Sequence, residues 1–207
     1  MVEITTVFWD IGGVLLTNGW DRSSRLKASE VFGLEREEFE ARHQAEENAF
    51  DRALLTLDQY LDRVIFHKSR PFSREEISEF IFAQSQPHPE VIAIVDEMAR
   101  ERRYFLATVN NEPLELNLRR IEKFGLKRYF CAFFSSCFLG LSKPDPAIYR
   151  SALQITQRTP GECLFIDDRP ANLESAGHVG ILTCHHNGNA QDLRAKLSDL
   201  LAWHTQK

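Results

Sequence analysis

Four short segments, far apart in the chain, carry residue types that together can move a phosphoryl group: Phe8-Trp9-Asp10-Ile11-Gly12-Gly13, Thr108-Val109-Asn110-Asn111, Lys143-Pro144-Asp145-Pro146 and Phe165-Ile166-Asp167-Asp168. Asp10 is the candidate nucleophile. A carboxylate that attacks phosphorus forms an aspartyl phosphate and splits one hard displacement into two easier ones. Asp167 and Asp168 suit Mg2+, because hard cations choose oxygen donors and magnesium keeps waters beside one or two carboxylates. Lys143 would balance charge on the nucleophile and the phosphoryl group, with Pro144 holding its backbone extended. Asn110 and Asn111 offer amide donors to phosphate oxygens. Taken singly, each has a plainer reading: a turn Asp before Gly-Gly, a loop Asp pair, a solvated Lys, ordinary loop Asn. Their order and shared setting favour one site over four coincidences.

That setting is a strand's end. Each acidic segment follows an apolar run too short for a helix and precedes Gly or Pro, as a buried parallel strand does before its loop. Ligands of open α/β sheets gather where strands release their chain. From 87 onward strands and helices alternate: helix 90–100, strand 104–109, helix 112–124 ending at Gly125, strand 130–135, a helix from Asp145-Pro146, strand 163–166, helix 171–178 and strand 181–184. An amphipathic helix is predicted over 190–203. The class is therefore α/β, with a doubly wound parallel sheet.

Between the first strand and this alternation, residues 18–86 read as mostly helical. Leu54, Leu57, Leu61, Val64 and Ile65 fit one helical face, as do Ile77, Phe80 and Ile81. Thr56 with Gln59 and Ser73 with Glu76 have the form of capping boxes. Pro87-His88-Pro89 marks a boundary, so 1–17 and 87–207 are expected to form the core and 18–86 an inserted helical cap.

The whole chain has 207 residues, 43% of them hydrophobic with fifteen Phe, enough for one large core or a core plus an insert. A net charge of −5 argues against non-specific nucleic-acid binding, since no basic excess exists to replace phosphate counterions. No apolar run reaches the roughly 20 residues of a membrane span, and no basic-then-apolar leader opens the sequence. Cys131, Cys137, Cys163 and Cys184 lack CxxC spacing and read as free thiols. A cytoplasmic protein is expected, as a monomer or homodimer.

The order and spacing of the four segments resemble the haloacid dehalogenase-like hydrolase superfamily. Pro89 to Ile94, Gly140 to Pro144 and the stretch from Asp167-Asp168 to Gly180-Ile181 look like its glucose-1-phosphate phosphatase branch. The likeness spans 7–184 and is weakest in the cap. It implies a Rossmann-like core, with Asp10 as nucleophile, Asn110 at a position usually Ser or Thr, Lys143 as the third-motif lysine and Asp167-Asp168 as the acidic fourth motif. It also implies Mg2+ held by Asp10, Asp167, Asp168 and the Gly12 carbonyl. The expected substrate is a small phosphorylated metabolite, sugar phosphates included. Trp20 and Arg22, at the start of the cap, fall where capped members touch substrate, though helix-start packing explains them equally.

One residue departs from that pattern. Most phosphatases of the superfamily carry a second Asp two residues after the nucleophile, which protonates the leaving oxygen and then activates water. Here the position is Gly12. General acid–base help is worth about 10² to 10⁴ in rate. Three readings follow: a phosphatase that, like the branch it resembles, carries Gly here and favours leaving groups of lower pKa, such as an anomeric sugar hydroxyl; a substitute among Asp21, His43, Glu47 and Glu112; or a catalytically silent phosphate-binding protein. A 2-haloacid dehalogenase would need no metal, and the Asp pair argues against it. Phosphonate cleavage would want a Schiff-base lysine, for which Lys27 and Lys68 stand as candidates. His185-His186 read as a surface loop, because adjacent strand side chains point to opposite faces. His178 reads as packed or partly exposed.

Overall fold

A computed structural model describes residues 3–201. Its five strands, β1 (Thr6–Trp9), β2 (Phe105–Asn110), β3 (Ala132–Ser135), β4 (Cys163–Asp167) and β5 (Leu182–His185), form one parallel sheet in the order β3-β2-β1-β4-β5. The chain winds outward from β1 in both directions, so the topological switch point lies between β1 and β4. Trp9 pairs with Thr108 on one side and Ile166 on the other, which sets Asp10 and Asp167 side by side at the carboxyl edge.

Strand alternation divides the core into two layers. Val7, Trp9, Leu106, Leu164 and Ile166 face α5 (Pro89–Glu101) and α10 (Ala190–Leu201), where they meet Val91, Val95, Met98, Leu193 and Leu197. Phe8, Ala107, Val109 and Phe165 face α8 (Pro146–Thr156) and α9 (Pro170–His178), against Ile148, Tyr149, Ala152 and Ala176. Strands buried on both faces must read as continuous apolar runs, which is how β1 and β4 read. Truncating Trp9, fully buried here, to Ala would cost about 3–5 kcal/mol.

The residues after β1 build a second, separate cluster. Helices α1 (Arg22–Phe32), α2 (Arg36–Asp51), α3 (Leu57–Val64) and α4 (Arg74–Ala83) pack Phe39, Phe50, Tyr60, Leu61, Ile65, Ile77 and Ile81 around Trp20, with Leu116 reaching in from α6 (Leu114–Lys123). Both capping boxes form reciprocally, Thr56 with Gln59 and Ser73 with Glu76. Leu54 leaves the expected face: it sits in the turn after α2, 66% exposed.

The two chain crossings between these clusters lie together. Thr17 N donates to Gln86 O at 2.8 Å, Gln86 N to Thr17 Oγ1 at 2.9 Å, and His88 N to Leu15 O at 2.9 Å. A short helix α7 (Ser136–Leu139) follows β3. The four cysteines are free, three buried and Cys131 exposed. Helix α10 reaches Leu201; the expected extension to Trp203 lies outside the described residues. His186 is buried rather than on a surface loop, while His178 and His185 are exposed.

Candidate active site

Asp10 follows β1 directly, and its Oδ1 accepts from Ile11 N at 2.7 Å. Asp167 ends β4 and is fully buried. Its Oδ1 accepts from Arg169 N at 2.8 Å and from Asn172 Nδ2 at 3.0 Å. Between these carboxylates stands Lys143, with Nζ 2.9 Å from Asp10 Oδ1 and 2.6 Å from Asp167 Oδ2. The lysine comes from the loop after α7. Pro146 opens the next helix with Asp145 as its cap, accepting from Ala147 N at 2.8 Å.

The electrostatics follow from burial. Desolvation pushes Asp10 up to about 7 against the pull of Lys143, with Asp167 and Asp168 adding repulsion. Desolvation works against the charge on Lys143, but Asp10 and Asp167 outweigh it and hold the ammonium above its ordinary range. Desolvation and then Asp167 raise Asp168. Such a crowd of acids is a place for a cation. Ligand atoms of Asp10, Asp167 and Asp168 all lie within 4.8 Å of one another. Asp168 Oδ1 is buried with no hydrogen-bond partner, an orphan that a metal would satisfy. The donor set is all oxygen and fits Mg2+.

Gly13 is required beside it. Its φ is +77°, and a Cβ there would run into the Asp168 carboxylate. At Gly12 a Cβ would come within 2.9 Å of Asn18 Oδ1, which would have to shift, and would make ordinary contact with Arg120 Nη1 at 3.8 Å. Arg120 is buried, ion-paired with Glu112 and donating to Thr17 O. It lies on the buried stripe of α6 with Leu116, Asn117 and Ile121.

The two asparagines part company. The side chain of Asn110 is fully buried away from the cavity: Nδ2 donates to Asn117 Oδ1 at 3.1 Å and Oδ1 accepts from Ser135 Oγ at 2.9 Å. It does not line the cavity, so its amide is not placed to donate to a phosphate there. The strand ends with Asn110 turned into the sheet's own polar network, and the residue after it reaches the site. Asn111 lines the cavity, but both ends of its amide are spent on the Lys143 backbone.

Above this floor opens a cavity of about 490 Å³, lined by Asp10, Gly12, Asn111 and Lys143 from the sheet edge and by Trp20, Asp21, Arg22, His43, Glu47 and Asp51 from the helical side. All four substitutes suggested by sequence, Asp21, His43, Glu47 and Glu112, reach it. Trp20 does so as part of the helical core, with Nε1 donating to Tyr60 Oη at 2.8 Å, and Arg22 does so from an exposed position. Neither Lys27 nor Lys68 lines the cavity; both are exposed. Sequence reading missed Asn18, Asp51, Arg120, Arg169 and Asn172. A buried-stripe arginine in α6 and an Asp ending α2 were the signals available.

An α/β sheet with an aspartate at the end of its central strand, a lysine bridging it to an acid pair and a helical layer overhead has the parts for nucleophilic displacement by a carboxylate. Residues 4–180 match the family model of the haloacid dehalogenase-like hydrolases, and the chain belongs to that family. It is 29% identical over 152 residues to flavin mononucleotide hydrolase 1 of Arabidopsis thaliana, covering 73% of this chain and 60% of that one. A phosphoserine phosphatase of Thermus thermophilus is 30% identical over 103 residues, 48% of this chain and 41% of the relative. The chain thus spans less than two thirds of either. Among solved structures, a haloacid dehalogenase family enzyme of Bacteroides thetaiotaomicron superposes with a TM-score of 0.79 at 21% identity, over 96% of this chain and 98% of that one. The same enzyme was also solved with magnesium and inorganic phosphate; that form superposes at 0.69 with 20% identity over 90% and 96%.

Proposed function

We propose that the protein is a magnesium-dependent phosphatase of a small phosphorylated metabolite, acting through an aspartyl phosphate on Asp10. The observation that carries this is Lys143 set between Asp10 and Asp167, with the orphaned oxygen of Asp168 beside them. Asp10, Asp167, Asp168 and the Gly12 carbonyl would hold Mg2+, which when bound neutralises charge on the phosphoryl oxygens and on the acids around it. Asp10 then attacks phosphorus from the strand end. Lys143 stays beside it and offsets the charge that spreads over the transferring group. Asn172 and the Arg169 amide fix Asp167, so the pair Lys143–Asp167 keeps its geometry while the nucleophile reacts.

The relatives' names fit this reading, one a hydrolase of flavin mononucleotide and one of phosphoserine. Residues 18–86 are taken as the cap over a core of 1–17 and 87–207, with the adjacent crossings at Thr17 and Gln86 as its hinge. The cavity's many polar side chains suit a hydroxyl-bearing leaving group, sugar phosphates of the glucose-1-phosphate phosphatase branch among them. Among the described residues no helix is long and apolar enough to cross a membrane, and a cytoplasmic setting is part of the proposal. A dehalogenase is disfavoured because Asp167 and Asp168 would repel a carboxylate substrate in the absence of a cation. The test is release of nitrophenolate from 4-nitrophenyl phosphate with magnesium, beside an Asp10→Asn control and a chelated sample. Turnover that needs Asp10 and magnesium supports the reading; halide release from a 2-haloacid that survives chelation overturns it.

A further inference from the structure

Gly12 has no side chain to protonate a leaving group, and the Asn18 side chain lies close in front of it. A proton donor for a poor leaving group would have to come from another wall of the cavity. Five acidic side chains line that cavity. Asp10 pairs with Lys143. Asp21 caps α1, accepting from Ser24 N at 2.8 Å. Glu47 lies 3.5 Å from His43 Nε2, and His43 is held from behind by Tyr60 Oη at 2.8 Å. Glu112 is ion-paired with Arg120, and protonating it would strand a buried guanidinium. Among the described residues, only the carboxyl of Asp51 in this set has neither an ion pair nor a side-chain hydrogen bond.

Its position is fixed by the core, not by the helices alone. Asp51 is the last residue of α2, and Ser136 Oγ donates to its carbonyl at 2.6 Å while accepting from Glu112 N at 2.9 Å. The next residue, Arg52, donates from Nε to Gly140 O at 2.6 Å. Ser136 and Gly140 bracket α7, whose loop runs on to Lys143. The end of α2 is thereby tied to the segment that delivers the catalytic lysine.

We propose that Asp51 is the proton donor to the leaving oxygen, in place of the acid that Gly12 lacks; this rests on the phosphatase reading above. When Asp10 Oδ attacks phosphorus, the bond from phosphorus to the leaving oxygen breaks and the Asp51 carboxyl gives that oxygen its proton, releasing an alcohol. The Asp51 carboxylate then takes a proton from the water that attacks phosphorus of the aspartyl phosphate. Phosphate departs, Asp10 is restored, and Asp51 is again protonated. Burial, with Glu112 and Glu47 facing it, pushes the carboxyl up to about 8 against the pull of Arg169 and Arg25, so it holds its proton at neutral pH. A carboxylic acid kept neutral in this way is suited to the first step and its conjugate base to the second. The substrate class widens accordingly, to phosphates of ordinary alcohols whose oxygens leave poorly unprotonated.

The experiment compares 4-nitrophenyl phosphate, whose leaving group departs unprotonated, with benzyl phosphate, whose leaving group does not. In Asp51→Asn, kcat/KM is expected to fall by about 10² to 10⁴ on benzyl phosphate and by less than about tenfold on 4-nitrophenyl phosphate. A burst of nitrophenolate followed by slow turnover should accompany it, because the second step has lost its base. Residual activity on 4-nitrophenyl phosphate reports an intact fold. Equal losses on both substrates, no loss on either, a selective loss that appears in Glu112→Gln instead, or a wild-type enzyme unable to cleave benzyl phosphate would each overturn the assignment. A wild-type protein that cleaves neither ester defeats the phosphatase reading itself, and the assignment with it.

Discussion

Asn111 holds the backbone of Lys143 by both ends of its amide: Oδ1 accepts from Lys143 N at 2.8 Å and Nδ2 donates to Lys143 O at 2.8 Å. The residue that follows β2 thus fixes the loop that carries Nζ to Asp10 and Asp167. Its work is to position the lysine. Asn111→Ala would leave two backbone groups of a partly buried loop unpaired, at about 1–3 kcal/mol. A displacement of order 1 Å at Lys143 would also lower kcat/KM by about 10²-fold. Thermal unfolding beside 4-nitrophenyl phosphate turnover checks both effects, and an unchanged kcat/KM would show that Lys143 is held by other means.

The Arg120–Glu112 pair is buried on both sides, at 2% and 7% side-chain exposure. Breaking such a pair from one end strands the other charge. Arg120→Met is therefore expected to cost about 3–5 kcal/mol, and adding Glu112→Gln should recover a good part of it. Urea denaturation of the single and double variants measures the difference. A double variant no more stable than Arg120→Met would mean that the arginine acts through its contact with Thr17 alone.

Much of this arrangement was legible in the sequence because it depends on local rules. The buried strands show as short apolar runs, the helix starts at Thr56, Ser73 and Pro146 show as capping chemistry, and Asp10, Lys143 and Asp167-Asp168 stand at strand or loop ends where the sheet gathers them. What was hidden depends on side-chain direction and on pairings between distant segments. Asn110 and Asn111 are adjacent, yet one, the last residue of β2, turns into the polar network of Asn117 and Ser135 and the other, just past the strand, into the site. Asp51 reads from sequence as one more acid in an acidic helix; only the contact of α2 with Ser136 brings it to the cavity. Leu54 matched a helical face in spacing but falls in the turn between α2 and α3.

Gly13 tests the metal reading without touching a ligand atom. A side chain there meets the Asp168 carboxylate and must also adopt a φ of +77°. Gly13→Ala is expected to cost about 1–3 kcal/mol in backbone strain and to turn Asp168 away from Asp10 and Asp167. Magnesium dependence should show it: the concentration for half-maximal activity is expected to rise by at least about tenfold. An unaltered magnesium titration in a folded Gly13→Ala protein would remove Asp168 from the proposed ligand set.

Asp51 also makes a prediction about stability that needs no substrate. An unfolded Asp titrates near its ordinary value of 3.8, whereas the folded carboxyl is pushed up to about 8 by burial and by Glu112 and Glu47. Between those two values the folded protein holds a proton that the unfolded chain has lost, so stability falls as pH rises through that window and levels off above it. One full proton corresponds to a slope of about 1.4 kcal/mol per pH unit, and the carboxyl, not wholly buried, should deliver less. Asp10, raised to about 7, contributes in the same direction in metal-free protein. Urea midpoints with a chelator at pH 5, 6.5 and 8 should therefore decline for the wild type and decline less steeply for Asp51→Asn. Parallel slopes for the two proteins would mean that Asp51 is ionised in the folded state at neutral pH, and would remove the proton it is proposed to donate.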